Sequence, residues 1–102
     1  MIARILRGIT SLDLADAYRE HLQEQAIPRL RGVDGLAHAY ILQRAQGDKC
    51  EFQVVTFWRD MKAMREWVGG DPEQAVYLDQ EERYLLDMEP LVHLYDAHEI
   101  LD

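Results

Sequence analysis

Cysteine is nearly absent from this sequence, which has only Cys50 among its 102 residues. A single cysteine cannot form a disulfide within the chain, and such low content is typical of proteins in a reducing compartment. No apolar run approaches bilayer length, and the opening MIARILRGIT has no small-residue cleavage site of the kind found in signal peptides. We therefore expect a cytoplasmic protein with no membrane partner.

Basic residues are also scarce. The chain has 11 Lys and Arg against 19 Asp and Glu, a formal charge of −8, which repels nucleic-acid phosphates and anionic lipids. We therefore expect no nucleic-acid partner. The sequence contains no G-x-G-x-x-G, no P-loop and no C-x-x-C, so nothing in it indicates a nucleotide cofactor or a zinc knuckle. We expect no cofactor.

The clearest signal that is present is the stretch from Glu51 to Gly70. Residues 51–58 are rich in Phe, Val, Thr and Trp and lack Gly and Pro, which predicts a central strand. Asp60 stands where an N-cap belongs, and Gly69 with Gly70 supplies a stop signal. The sequence therefore predicts a strand leading directly into a short helix at 61–68.

Both faces of the predicted central strand are apolar. Alternation places Phe52, Val54, Thr56 and Trp58 on one face and Gln53, Val55 and Phe57 on the other. An antiparallel sheet in a small monomer usually keeps one polar face in water. We therefore expect helices to cover one face and a second copy of the chain to cover the other, as in a homodimer.

Periodicity and turn signals place the other elements. They are a first strand at 2–7 released by Gly8, a helix at 11–26 capped by Thr10 and ended by Pro28, a second strand at 36–45, a tight turn at Gly47-Asp48, short helical turns from Asp71-Pro72 and from Asp79 through Met88, and a last strand at 90–100. This order predicts an α+β, ferredoxin-like βαββαβ fold with an extra short helical segment before the last strand. We expect residues 1–102 to form one domain.

Four histidines raise the question of a metal site. His93 and His98 are an odd number of residues apart on the predicted last strand, so their side chains leave opposite faces. Asp96 and His98 share a face, but two ligands are too few for a stable site. We expect no metal.

Aromatic and imidazole side chains repeat on faces that could line a pocket for a flat apolar ligand. His38 and Tyr40 share one strand face, and His93 and Tyr95 share another. Ordinary core packing is the competing interpretation of each aromatic. The candidate ligand-binding residues are Tyr40, Trp58, Trp67, Tyr77 and Tyr95.

Several segments together resemble one known family. They are MIARILRGIT, the helical ADAY, TFWRDMKAMREWVGGDPEQAVY and RYLLDMEPLV. This combination is similar to the antibiotic biosynthesis monooxygenase-like family of dimeric α/β barrels. The resemblance implies a ferredoxin-like subunit whose sheet packs face to face against its twin, with a pocket between sheet and helices.

The resemblance also implies a chemistry. Characterised oxygenases of the family oxidise polycyclic phenols without metal or flavin, using an Asn on strand three and a Trp four residues later. Trp58 matches that Trp, but Val54 occupies the Asn position and the chain contains no Asn. A haem-degrading branch uses an Asn on strand one and an iron-ligating His near helix two, and no histidine lies between His38 and His93.

Two functions stay open on this sequence. One is a cofactor-independent, monooxygenase-like enzyme that oxidises an aromatic or quinol-like small molecule, with Trp58 and Trp67 as apolar walls. In it, His38 or His93 deprotonates a phenol, because imidazole titrates near neutral pH. The alternative is a non-catalytic small-molecule-binding or stress-related dimer with the same fold.

Overall fold

Two helices pack on one face of an antiparallel sheet. The computed structural model describes residues 1–75 and 81–101 of the chain. In chain order the elements are β1 (Ile2–Ser11), a 3-10 turn (Leu12–Leu14), α1 (Ala15–Leu30), β2 (Leu36–Gln46), β3 (Lys49–Trp58), α2 (Met61–Val68), a second 3-10 turn (Glu81–Arg83), β4 (Leu85–Met88) and β5 (His93–Asp96).

The strand order confirms the predicted ferredoxin-like α+β fold. The order is β2-β3-β1-β4, and β5 also pairs with β1. β1 and β3 pair antiparallel along their whole length, from Ile2 opposite Trp58 to Ser11 opposite Lys49. β2 and β3 form the predicted hairpin, whose turn places Gly47 at φ +60°. β1 and β2 therefore run in the same direction with β3 between them, which is the split βαβ arrangement.

The first strand is longer than predicted, and Gly8 does not end it. Gly8 lies inside β1 opposite Phe52. A Cβ at this position would lie 2.8 Å from Leu85 Cδ2, so the glycine lets β4 pack closely. Thr10 is likewise a buried residue of β1 and not a helix cap. The predicted start of the first helix was wrong for this reason.

The first helix also ends later than predicted. Pro28 lies within the last turn of α1, and the helix continues to Leu30. Proline near a helix C-terminus removes only one backbone hydrogen bond, and the N–H of Arg31 still donates to the Ile27 carbonyl oxygen at 3.0 Å. The predicted α2 is confirmed, with Asp60 accepting from the Ala63 N–H at 2.9 Å and Gly69 at φ +77°. Within residues 1–75 and 81–101, no helix has both the length and the apolar composition needed to cross a membrane.

The end of the chain differs most from the prediction. Residues 85–88, predicted to be helical, form β4, and the predicted single last strand shortens to β5. Both pair with the free edge of β1, whose backbone groups would otherwise lack partners. The extra helical segment before them is the 3-10 turn Glu81–Arg83. The residues at 71–74 form a turn rather than a helix, and Asp79 lies outside the described residues.

The core lies between the helices and the sheet. Tyr18 and Leu22 of α1 pack on Phe52 and Leu85 at one end, and Met64 of α2 packs on Trp58 at the other end. Both clusters bury residues from the same face of β3, Cys50 and Phe52 in one and Trp58 in the other. The helices therefore define an inner sheet face, carrying Phe52, Val54, Thr56 and Trp58, and leave an outer face carrying Gln53, Val55 and Phe57.

Candidate functional site

A small cavity lies on the inner face between the two helices and the sheet. Its volume is about 80 Å³. Its described lining is mainly apolar. The polar lining residues come from the sheet, from α1 and from the 3-10 turn Glu81–Arg83. The lining residues are Arg4, Leu6, Leu22, Ala26, Arg29, Leu30, Val54, Thr56, Trp67, Val68 and Glu81. An apolar cavity with a few polar groups is the usual form of a small-molecule site.

Trp67 forms one wall of this cavity and is held in place from two sides. Its Nε1 donates a hydrogen bond to the Arg29 carbonyl oxygen at 3.3 Å. Its ring centroid lies 5.3 Å from that of Trp58. Trp58 is fully buried behind it, and its Nε1 donates to Thr56 Oγ1 at 2.9 Å. Trp58 therefore positions cavity-lining groups and is not itself among the lining residues.

Arg4 is a charged residue on the inner face. It pairs across the sheet with Thr56, and its Cζ lies 5.9 Å from the Trp67 ring centroid. Burial lowers the pKa of its guanidinium. Arg4 is not among the predicted site residues, although strand parity places it on the face of Leu6 and Ile2, where a cation is unusual. That parity was the signal that could have identified it.

An open groove runs beside the cavity, between α1 and the edge strand β2. Its volume is about 610 Å³. The groove and the cavity share Ala26, Leu30 and Val54 as lining residues, so the two spaces adjoin. His38 and Tyr40 also line the groove. Together the two spaces make one candidate site, open at β2 and closed at Trp67.

The outer face holds a separate group of aromatic side chains. The rings of His38 and Tyr40 stack 6.2 Å apart, and each lies 6.3 Å from the Phe57 ring. Tyr95 pairs with Ala3, which in turn pairs with Phe57, so it extends this row. Tyr40 and Tyr95 are 54% and 56% exposed, whereas Val55 is only 6% exposed. The exposed apolar surface therefore comes mainly from the flanking strands.

Charged residues cross the other end of the outer face. Arg7 Nε donates to Glu51 at 2.9 Å, and Arg7 Nη1 donates to Glu89 at 2.6 Å. Arg44 Nη2 donates to the second Glu51 oxygen at 2.7 Å, and His93 Nε2 lies 3.1 Å from Glu89. The hydrogen bond from Arg7 holds the pKa of Glu51 below its usual value, and the pKa of Arg7 is raised in turn.

The structure thus divides the predicted site residues between two faces. Trp58 and Trp67 lie together on the inner side, and His93 and Tyr95 lie on the outer face. His38 and Tyr40 project from the outer face but also border the groove at the sheet edge. Tyr77 lies outside the described residues. Within residues 1–75 and 81–101, no group of three or more His, Cys, Asp or Glu is arranged to hold a metal ion.

The cavity does not suit a haem iron. Its described lining contains no histidine, cysteine, methionine or tyrosine, so that part of the chain supplies no axial ligand there. The volume of about 80 Å³ also falls short of even the ~150 Å³ of an apolar cavity that holds benzene.

Solved structures of similar fold were found across the whole chain. A candidate antibiotic biosynthesis monooxygenase from Bacillus cereus superposes with a TM-score of 0.72 at 11% identity, covering 100% of this chain and 97% of that one. Rv0793 from Mycobacterium tuberculosis gives 0.61 at 22% identity, covering 99% and 98%. The heme-degrader MhuD from the same organism, solved with two hemes bound in its active site, gives 0.65 at 15% identity, covering 100% and 98%. These likenesses establish the shared fold.

The sequence itself supplies the family. No curated protein matches the chain significantly. The profile of the antibiotic biosynthesis monooxygenase family, however, matches residues 10–77, which is more than half of the chain and includes α1, the β2-β3 hairpin and α2. On this match the chain belongs to the antibiotic biosynthesis monooxygenase family.

Proposed function

We propose that this chain binds an aromatic or quinol-like small molecule in the groove and cavity and oxidises it with O₂, without metal or organic cofactor. The observation that carries the proposal is the continuity of the two spaces through Ala26, Leu30 and Val54. The groove volume of about 610 Å³ falls in the ~300–1,000 Å³ range of ligand sites. The aromatic body therefore lies in the groove, and only a substituent reaches the cavity.

The reaction is a monooxygenation that balances without an external reductant. A methylene flanked by aromatic rings, as in anthrone, gives up two hydrogens and becomes a carbonyl. One atom of O₂ becomes the carbonyl oxygen and the other leaves as water, so the substrate supplies all the electrons. The protein has to bind the substrate, exclude water and remove a proton to form the electron-rich anion.

Residue roles follow from position. Trp67 supplies the wall at the closed end, and Trp58 fixes Trp67 from behind. His38 borders the groove at the edge of β2, and we assign the proton transfer to it although its ring stacks on Tyr40 at the outer face, because the groove is open at this edge. Tyr40 lines the same rim. His93 and Tyr95 could act only on a molecule bound at the outer face, because the sheet separates them from the cavity.

We also propose that the outer faces of two chains pack together in a homodimer in the cytoplasm. Support comes from the exposed aromatic row that includes Tyr40 and Tyr95. Exposed aromatic surface of this kind marks protein interfaces. The charge network of Arg7, Glu51 and Arg44 borders the row and would form the polar rim.

The experiment that tests the enzyme is oxygen uptake with a panel of anthrone-like phenols and quinols. We expect uptake that saturates with substrate, stays intact in the presence of chelators and falls in Trp67→Ala. Glu24→Gln, on the exposed side of α1, is the matched control and should leave uptake unchanged. A panel that yields no uptake above the protein-free rate contradicts the enzymatic proposal.

A second function is favoured by Val54. This residue lines both the groove and the cavity at the position where the family oxygenases carry Asn. A valine side chain can neither donate nor accept a hydrogen bond. A non-catalytic binding dimer would therefore retain saturable quenching of tryptophan fluorescence by the same compounds without consuming oxygen. In that case Val54→Asn is the variant expected to gain oxygen uptake.

A further inference from the structure

One cation is buried on the apolar side of the sheet without full compensation. Arg4 is 6% exposed. A guanidinium carries five N–H donors, yet the one hydrogen bond that Arg4 makes to a described residue runs from Nη2 to the Gln74 carbonyl oxygen at 3.2 Å. Its Nε is buried and has no hydrogen-bond partner among the described residues. Buried donors of this kind are rare in native proteins and call for a partner that completes them.

No described side chain neutralises Arg4. Within residues 1–75 and 81–101 it takes part in no ion pair. Glu81 lines the same cavity and is fully buried, but it forms no ion pair with Arg4, and its Oε1 accepts a hydrogen bond from the Tyr18 hydroxyl at 3.2 Å. Burial lowers the pKa of Arg4, but a guanidinium keeps its proton at neutral pH. The positive charge is therefore available to a ligand.

We propose that Arg4 binds an acidic oxygen of the ligand, so that the site prefers a planar aromatic molecule bearing a carboxylate or a phenolate. This inference rests on the proposed function, because it names the ligand class of the same groove and cavity. Arg4 pairs with Thr56, which is the next inner-face residue of β3 after Val54. Arg4 therefore supplies a hydrogen-bond donor close to Val54, whose own side chain has none. The ligand's aromatic ring lies in the groove, and its charged end enters the cavity, where Arg4 lies beside Trp67.

The size of the cavity agrees with this orientation. At about 80 Å³ it is roughly half the ~150 Å³ that holds a benzene ring. It admits a carboxylate or a phenolic oxygen but not a ring. A guanidinium and a carboxylate that lie in one plane form two parallel hydrogen bonds. This geometry suits Arg4, which makes one hydrogen bond to the described residues.

Isothermal titration calorimetry on the full chain tests the inference with two ligands of the same shape, 2-naphthoate and 2-naphthamide. We expect the wild type to bind 2-naphthoate about 10- to 100-fold more tightly, as charge-assisted hydrogen bonds imply. Arg4→Met should lose that preference and keep its 2-naphthamide affinity within about 2-fold. Arg4→Gln is the second variant, and circular dichroism establishes that both are folded. A 2-naphthol titration below and above the pKa of its hydroxyl shows whether phenolates join carboxylates in the preferred class.

The outcomes separate the inference from the function on which it rests. Equal affinity of the wild type for the two naphthalenes, or a preference that survives in Arg4→Met and Arg4→Gln, overturns the role of Arg4 and leaves the binding site intact. Failure of both compounds to bind the wild type overturns the proposed site together with the inference. Loss of the preference in the folded Arg4 variants alone supports it.

Discussion

Arg7 Nε on β1 donates a hydrogen bond to Glu51 Oε2 on β3 at 2.9 Å, which joins the two central strands across the outer face. Glu51 is only 8% exposed and also accepts from Arg44 on β2. Removing this carboxylate leaves two arginines without their shared acceptor. The contact therefore ties together three neighbouring strands.

Glu51→Gln should destabilise the fold at neutral pH by about 1 to 2 kcal/mol, since a charge-assisted contact is lost. The pKa of Glu51 is lower in the folded chain than in the unfolded chain, where it is near 4.5. Its contribution is therefore complete above that value and disappears as pH falls through the lower folded pKa. Urea unfolding at pH 7 and at pH 3 measures both effects, with Glu24→Gln as control. A difference between wild type and Glu51→Gln that persists undiminished at the acid pH contradicts this assignment.

Gly35→Ala should cost more stability than Gly32→Ala. Both glycines have positive φ, at +84° and +73°, so either alanine pays about 1 kcal/mol of backbone strain. Only at Gly35 would the new Cβ collide with another residue, the Cβ of Ala63 in α2. We expect this overpacking to add about 1 to 3 kcal/mol. Thermal unfolding of the two variants compares them, and equal losses would show that α2 moves aside freely.

His38→Ala and His93→Ala locate the reaction. If the base acts in the groove, His38→Ala should lower kcat for phenol oxidation by at least about 100-fold. His98 is exposed and belongs neither to the lining of the groove and cavity nor to the aromatic row on the outer face, so His98→Ala is the control. A larger loss in His93→Ala than in His38→Ala would place the reaction near β5, away from the groove that His38 borders. Measurement of kcat and KM with a single substrate decides the matter.

The homodimer is tested by putting a charge on the outer face. Tyr95→Glu should raise the dimer dissociation constant at least about 10-fold, because a carboxylate would be buried among aromatic side chains. The control, Leu12→Glu, changes a residue of similar exposure, 46% against 56%, that lies on the 3-10 turn after β1 and not on a strand of the sheet. Light scattering at micromolar concentration gives the mass of each variant. A monomer mass for the wild type would contradict the proposed assembly.

Local signals predicted the elements that depend on local chemistry. α2 begins after Asp60 and ends before Gly69 because a cap and a left-handed glycine act over a few residues. The β2-β3 hairpin follows from its Gly47 turn in the same way. The β4 segment at 85–88 could not be recognised as a strand, because the residues of β1 that pair with it are 75 to 80 positions away in sequence. Gly8 was misread for the same reason, since the side chain that needs its space belongs to Leu85.

The sequence alone determined the family, the ferredoxin-like order of helices and strands, and the alternation that sends the side chains of β3 to two faces. These features depend on patterns among residues that are close together in sequence. Only the tertiary structure decided which candidates share a site. It placed Trp67 beside Arg4 and Trp58 on the inner face, and it placed His93 and Tyr95 on the outer face of the sheet. The physical reason is that the packing of helices on one sheet face selects the side chains that meet, and that choice depends on contacts between residues far apart in the chain.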